Sequence, residues 1–208
     1  MATNRLEAFS DGVIAVAITL LILNISVPAP DSRHTLAHEL ARRWPEYAAY
    51  VVSFLTIGII WINHHAAIRR LHRVDHSVLT LNLLLLKSVC VLPFTTSLMA
   101  TYLKRPSGEH LAAAVYSGSF LLMGIAFLAF NWHVLLRKPH LLRPALPEAL
   151  RRDLLRRAFV GLIPYAMAAA LAALSPYVSL AICTAVAAYY ARPTTTQTFP
   201  SLKGETKG

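Results

Sequence analysis

Charged residues are scarce in this chain. They make up 14% of its 208 positions, against roughly a quarter in a soluble domain. Cysteine is nearly absent as well. Cys90 and Cys183 lie in apolar stretches without CxxC or ligand spacing, so they read as packing residues and say nothing about redox compartment. There is no TVGYG-type carbonyl filter, arginine-rich voltage helix, phosphate loop or catalytic-triad spacing. No enzymatic step is expected, and no cofactor. The positive charge forms no stripe of the kind that tracks phosphates, so nucleic acid is not an expected partner despite a formal net charge of +10,. Residues 1–27 lack a signal-peptide pattern: Glu7 and Asp11 spoil a basic leader, and no A-x-A site follows. No internal repeat is evident.

What is present is apolar: 56% of the residues, with a mean hydropathy of +0.51. These residues fall into six blocks, each near the ~20 residues that cross ~30 Å of hydrocarbon. The blocks run over about 9–27, 46–68, 78–102, 111–136, 157–174 and 176–192. A spanning segment must satisfy its backbone groups internally, so all are expected to be helices. The expected fold is therefore all-α and polytopic, a single six-helix unit over 1–192 with a disordered tail at 193–208. Val27-Pro28-Ala29-Pro30 stops the first block, Lys104 to Gly108 ends the third, and Leu174-Ser175-Pro176 makes a tight turn,. Residues 32–46, with Leu36, Leu40 and Trp44 among charges, read equally as a short amphipathic helix or as an ordered loop.

The charges orient the chain. With the N-terminus inside, fourteen Lys and Arg fall in inner segments, five in outer loops, and Lys87 within a span. That asymmetry puts both termini in the cytoplasm. It also explains the basic character without an anionic ligand.

Polar residues inside the spans need partners, because an ionisable group at mid-depth costs at least about 2.5 kcal/mol. Asp11 starts the first span. The alternating topology brings Trp61, His64 and His65 to its depth from the second span and Asn82 from the third. Arg5, Phe9, Ser10, Asp11, Trp61, His64, His65 and Asn82 are thus candidates for an inter-helix layer, with hydrogen bonds among the polar members. A metal at His64 and His65 is not expected, since adjacent helical positions point about 100° apart.

The first span has a second face. With Val16 at zero, Gly12 lies at about −40°, Thr19 at about −60°, Leu20 at about +40° and Leu23 at about −20°, while Asp11 is about 140° away. Periodicity alone leaves this stripe as packing or as the wall of a pore.

The run from Arg5 through Phe9-Ser10-Asp11 to Leu20 resembles the RxxxFSD signature of the transmembrane protein 175 family of potassium channels. Trp61-Ile-Asn-His64-His65, Asn82 and Leu92-Pro93-Phe94 are similar to its second and third spans. The resemblance covers about residues 5–100; beyond that, only span count and length agree. It implies a potassium-preferring cation channel of the cell membrane, assembled as a homotetramer, with K+ and the lipid bilayer as its other partners. It also implies that four copies of the first helix line the pore, narrowing at Val16 with further apolar rings at Leu20 and Leu23. Thr19 matches a hydroxyl position associated with potassium preference. Where relatives usually carry Ile or Leu, Val16 is one methylene shorter, which points toward weaker selectivity. The competing classes are a secondary transporter, which would need interrupted spans around a midplane site, and a non-conducting protein that binds lipid through the basic 137–157 loop.

Overall fold

The structure, a computed structural model, describes residues 3–29 and 35–191. The expected tail at 193–208 lies outside the described residues. α1 spans Thr3–Leu20 and tightens into a 3-10 turn at Leu21–Asn24. α2 (Leu36–Arg42) is a short surface helix, capped where the Thr35 hydroxyl accepts from His38 N–H at 3.3 Å. Of the two alternatives for 32–46, the described residues take the helical one over Leu36–Arg42, while 32–34 lie outside the described residues. α3 (Trp44–Ile68) opens with Pro45 in its first turn, where a missing N–H costs nothing,.

α4 (His76–Tyr102) is capped by Asp75, whose carboxylate accepts from Val78 N–H at 2.9 Å,. That bond, helped by Lys138 at 3.2 Å, holds the Asp75 carboxyl below the usual carboxylate range. α5 (Glu109–Trp132) starts after Gly108, at φ 99, and runs into a π-turn at His133–Arg137. Only glycine suits that start: the conformation is left-handed, and an added Cβ would lie 3.0 Å from the Tyr102 ring,. α6 (Glu148–Val160), α7 (Ile163–Leu171) and α8 (Pro176–Ala191) complete the described helices.

Two expectations need correction. The first helix begins at Thr3, well before residue 9, and ends at Asn24. The block expected over 157–174 is two helices in sequence. Pro164 has no N–H to return to Val160, so the rod breaks at Gly161–Leu162,. α6 then extends it backwards to Glu148 as a charged helix with no buried residue. Five stretches are long and apolar enough to cross a membrane: Thr3–Asn24, Trp44–Ile68, His76–Tyr102, Glu109–Arg137 and Glu148–Leu171. Pro176–Ala191 is apolar but shorter.

The rods run alternately between two ends. At one end, Leu6 of α1 packs with Ile68, Leu71, Val78, Phe130, Val134 and Leu142. There the 69–75 loop pairs with the 138–143 loop: Leu71 and Leu142 form an isolated bridge, and Arg143 N–H donates to Arg70 O at 2.8 Å. At the opposite end, Lys104 reaches Arg42 O at 3.0 Å, Trp44 stacks on Tyr177, and His110 meets Ala172 O at 2.8 Å.

Between them lies an apolar core built on Ile14, Leu21, Val52, Leu85, Leu92, Met99 and Phe120. It contains one polar layer that the sequence reading missed. Ser53 Oγ lies 2.8 Å from Thr96 Oγ1 and 3.0 Å from Tyr116 Oη, and Thr95 lies 2.9 Å from Ser119. These hydroxyls stitch α3, α4 and α5 together.

Candidate functional site

The first half of α1 carries two polar arrangements. The inner one is a buried chain, Ser10–Asn82–His64. Ser10 gives its proton to Leu6 O at 2.8 Å, so its oxygen is free to accept from Asn82 Nδ2 at 3.0 Å. Asn82 Oδ1 then faces His64 Nε2 at 2.7 Å, which requires the proton on that nitrogen,. All three residues are buried, and they tie α1, α3 and α4 at one level. Asn82 is the hub, serving both neighbours with its two amide ends.

The second arrangement is a ladder between α1 and α3. Glu7 and Asp11 stand one turn apart on α1; Trp61 and His65 stand one turn apart on α3. Trp61 Nε1–H donates to Asp11 Oδ1 at 2.8 Å. His65 Nδ1 lies 3.2 Å from Glu7 Oε1, off the axis a hydrogen bond would need. The two rings on α3 are 5.9 Å apart. Glu7 was absent from the sequence-level layer, although its i−4 spacing from Asp11 puts it on the same helix face.

Of the eight residues expected in one layer, the structure thus joins Ser10, Asn82 and His64, pairs Asp11 with Trp61, and turns His65 toward Glu7. Phe9 and Arg5 stand outside. Both are exposed, and Arg5 makes no hydrogen bond or ion pair among the described residues. Helical phase explains this: Arg5 lies about 120° from Asp11 but only about 20° from Val16.

Asp11→Ala removes the acceptor from a partly exposed indole, so the expected cost is about 1 kcal/mol. The yield of assembled protein is expected to fall while ion preference stays the same. Size-exclusion yield and reversal potential, measured together, check this. An assembled variant with altered ion preference would contradict it.

The stripe occupies the other side of α1. Ile14 and Ala17, both 2% exposed, and Leu21 face the core, whereas Val16 is 58% exposed and Leu23 75% exposed. Gly12, Thr19 and Leu20 share the open side, and a Cβ at Gly12 would meet nothing within 4 Å. Thr19 Oγ1 donates to Val16 O at 2.9 Å. Its hydrogen is therefore occupied, and the exposed hydroxyl oxygen keeps its capacity to accept,. Gly12, Val16 and Leu20 of the stripe line an open apolar groove of about 580 Å³, with Cys90 of α4 on the other wall.

The family described as "Endosomal/lysosomal potassium channel TMEM175" matches residues 5–93. The chain is 45% identical to a protein named as a potassium channel from Streptomyces collinus, over 90% of this chain and 91% of that one. It is 38% identical to a potassium channel of Chamaesiphon minutus, over 91% and 93% of the two chains. The human relative is named as an endosomal/lysosomal proton channel. It is 31% identical over 80% of this chain but only 34% of its own length. The crystal structure of a lysosomal potassium-selective channel TMEM175 homolog from Chamaesiphon minutus superposes with a TM-score of 0.81 at 36% identity, covering 91% of this chain and 96% of that one. This multi-pass, all-helical membrane protein belongs to the TMEM175 family of ion channels, whose members are not enzymes.

Proposed function

We propose that this chain is one subunit of a homotetrameric, potassium-preferring cation channel of the cell membrane. It has six spans and both termini in the cytoplasm, and α1 lines the pore. One observation carries the reading. The protomer spends one face of α1 on its own core and leaves Gly12, Val16, Thr19, Leu20 and Leu23 exposed on the other, with Gly12, Val16 and Leu20 lining an open groove. Around a four-fold axis, that face becomes a wall contributed by four copies. The names of the bacterial relatives support potassium as the permeant ion.

The mechanism follows from side-chain chemistry. Four Val16 side chains at one level form a dry ring that strips part of an ion's hydration shell. Potassium sheds water more cheaply than sodium, so the ring favours potassium without dedicated ligands. Four Thr19 hydroxyls one turn further on then offer lone pairs to the partly dehydrated ion. Val16 is a short residue for a constriction, which favours modest selectivity. Bilayer recording of the reconstituted protein under a potassium/sodium gradient tests the function, with oligomeric mass measured in parallel. Potassium-preferring current from a tetramer supports it; absence of current, or carrier-like slow flux, would refute it.

Orientation has its own test, resting on the fourteen-to-five charge asymmetry. Single cysteines at 35–45 or 104–110, in a background lacking Cys90 and Cys183, are expected to react with an impermeant thiol reagent added outside whole cells. Cysteines at 139–150 are expected to react only after permeabilisation. Outside labelling of 139–150 would invert the orientation.

A further inference from the structure

Glu7, Asp11 and His65 each offer one ligand atom, and the three atoms all lie within 4.8 Å of one another. Two carboxylates that close repel each other unless a cation lies between them. No Lys or Arg supplies it: among the described residues, neither carboxylate makes an ion pair with one. The third member is an imidazole. Its Nδ1 is shut off from solvent and makes no hydrogen bond, although it faces Glu7 at 3.2 Å. Trp61 occupies Oδ1 of Asp11, and among the described residues no hydrogen bond is made to Oδ2.

We propose that these residues form a site for a divalent transition-metal ion of the zinc type, bridging α1 and α3. Ligands on a tetrahedral zinc sit about 2.0–2.1 Å from the metal and therefore about 3.3 Å from each other. The Glu7–His65 pair already has that spacing, and the Asp11 carboxylate needs only a side-chain rotation. One nitrogen and two carboxylate oxygens suit zinc, whereas magnesium and calcium call for oxygen cages. The fourth position is left for water. The two carboxylates come from consecutive turns of α1 and the imidazole from α3, so the ion cross-links two helices and fixes their register. The site depends on the folded protomer alone and stands whether or not α1 lines a pore.

The test uses the full chain, purified in detergent and stripped with chelator. Equilibrium dialysis against Zn2+ is expected to give one saturable site per subunit, and bound Zn2+ is expected to raise the thermal midpoint, with Mg2+ and Ca2+ doing neither. Glu7→Gln and His65→Gln are each expected to weaken uptake roughly tenfold or more, while His140→Gln, at an exposed position outside the cluster, leaves it unchanged. Should either variant fail to fold, Co2+ added to the unmodified protein provides an independent reading, through the strong visible absorption of a four-coordinate site. Equal uptake by the unmodified protein and the two ligand variants, or a Co2+ spectrum no different from that in buffer, would overturn the proposal.

Discussion

Val16→Asn is expected to raise the current through the reconstituted protein several-fold and to pull its bi-ionic potassium/sodium reversal potential toward zero. The size of the effect comes from symmetry. A single substitution on a face that meets a four-fold axis alters four side chains in one ring, and the amide wets a constriction that valine keeps dry. Thr19→Val acts on the same preference from the other direction. It removes four hydroxyl oxygens while keeping the shape, so the reversal potential moves the same way without the rise in current. The control lies across the helix. Ile14 is buried and Ile18 packs against the core, so Ile18→Val trims one methyl group at a packing contact and leaves ion choice alone. If Ile18→Val shifts the reversal potential and Val16→Asn does not, the pore wall is on the wrong side of α1.

Asn82→Ala carries the largest expected loss of stability. The amide is fully buried and, among the described residues, is the one side chain that hydrogen-bonds both Ser10 and His64. Its removal orphans the His64 Nε2–H outright. Ser10 suffers less, because its own proton already goes to Leu6 O. An orphaned buried donor costs about 1–3 kcal/mol, while inter-helix hydrogen bonds in membranes average about 0.6 kcal/mol. We expect about 2 kcal/mol for the whole change, read as a lower thermal midpoint and a lower yield of folded protein. His64→Ala on top of Asn82→Ala is expected to cost little more, since the partner is already lost; full additivity would mean the two do not form one unit. Thr80→Val is the comparison: that hydroxyl is exposed and bonds only its own backbone at His76 O.

Much of this was legible before any coordinates, and the failures have identifiable causes. The open face of α1 could be read because one helix, 3.6 residues per turn, predicts which side chains share a side. The Ser10–Asn82–His64 chain could be anticipated from alternating topology, which fixes depth. Depth says nothing about azimuth, and there the reading slipped: Arg5 was grouped with Asp11 by height although its phase puts it beside Val16. Glu7 was weighed only as a charge that spoils a basic leader, although its spacing from Asp11 already marked the shared face. The hydroxyl layer of Ser53, Thr96 and Tyr116 had no signal at all. Each residue is unremarkable in its own span, and only tertiary packing brings together positions 43 and 63 residues apart. The break at Gly161–Leu162 had its cause in plain view, since Pro164 strips the N–H that Val160 needs, but an apolar window averages over such a residue.

One feature of α1 has a mechanical side. The helix is tied at its start by Ser10, Asp11 and Glu7. It is tied again past its end, where Asn24 donates to Pro93 O at 2.9 Å, Ser26 N–H meets Glu46 at 3.0 Å, and Arg43 reaches Ser26 O at 3.0 Å. From Gly12 to Leu20, no side-chain hydrogen bond among those described reaches another helix; contact there rests on apolar side chains such as Ile14 and Ala17. A beam clamped at both ends and held between them by side-chain packing alone yields most readily at mid-span. The expected easiest distortion of α1 is thus a bow centred near Val16, with both clamps staying put, rather than a swing of the whole rod about one end.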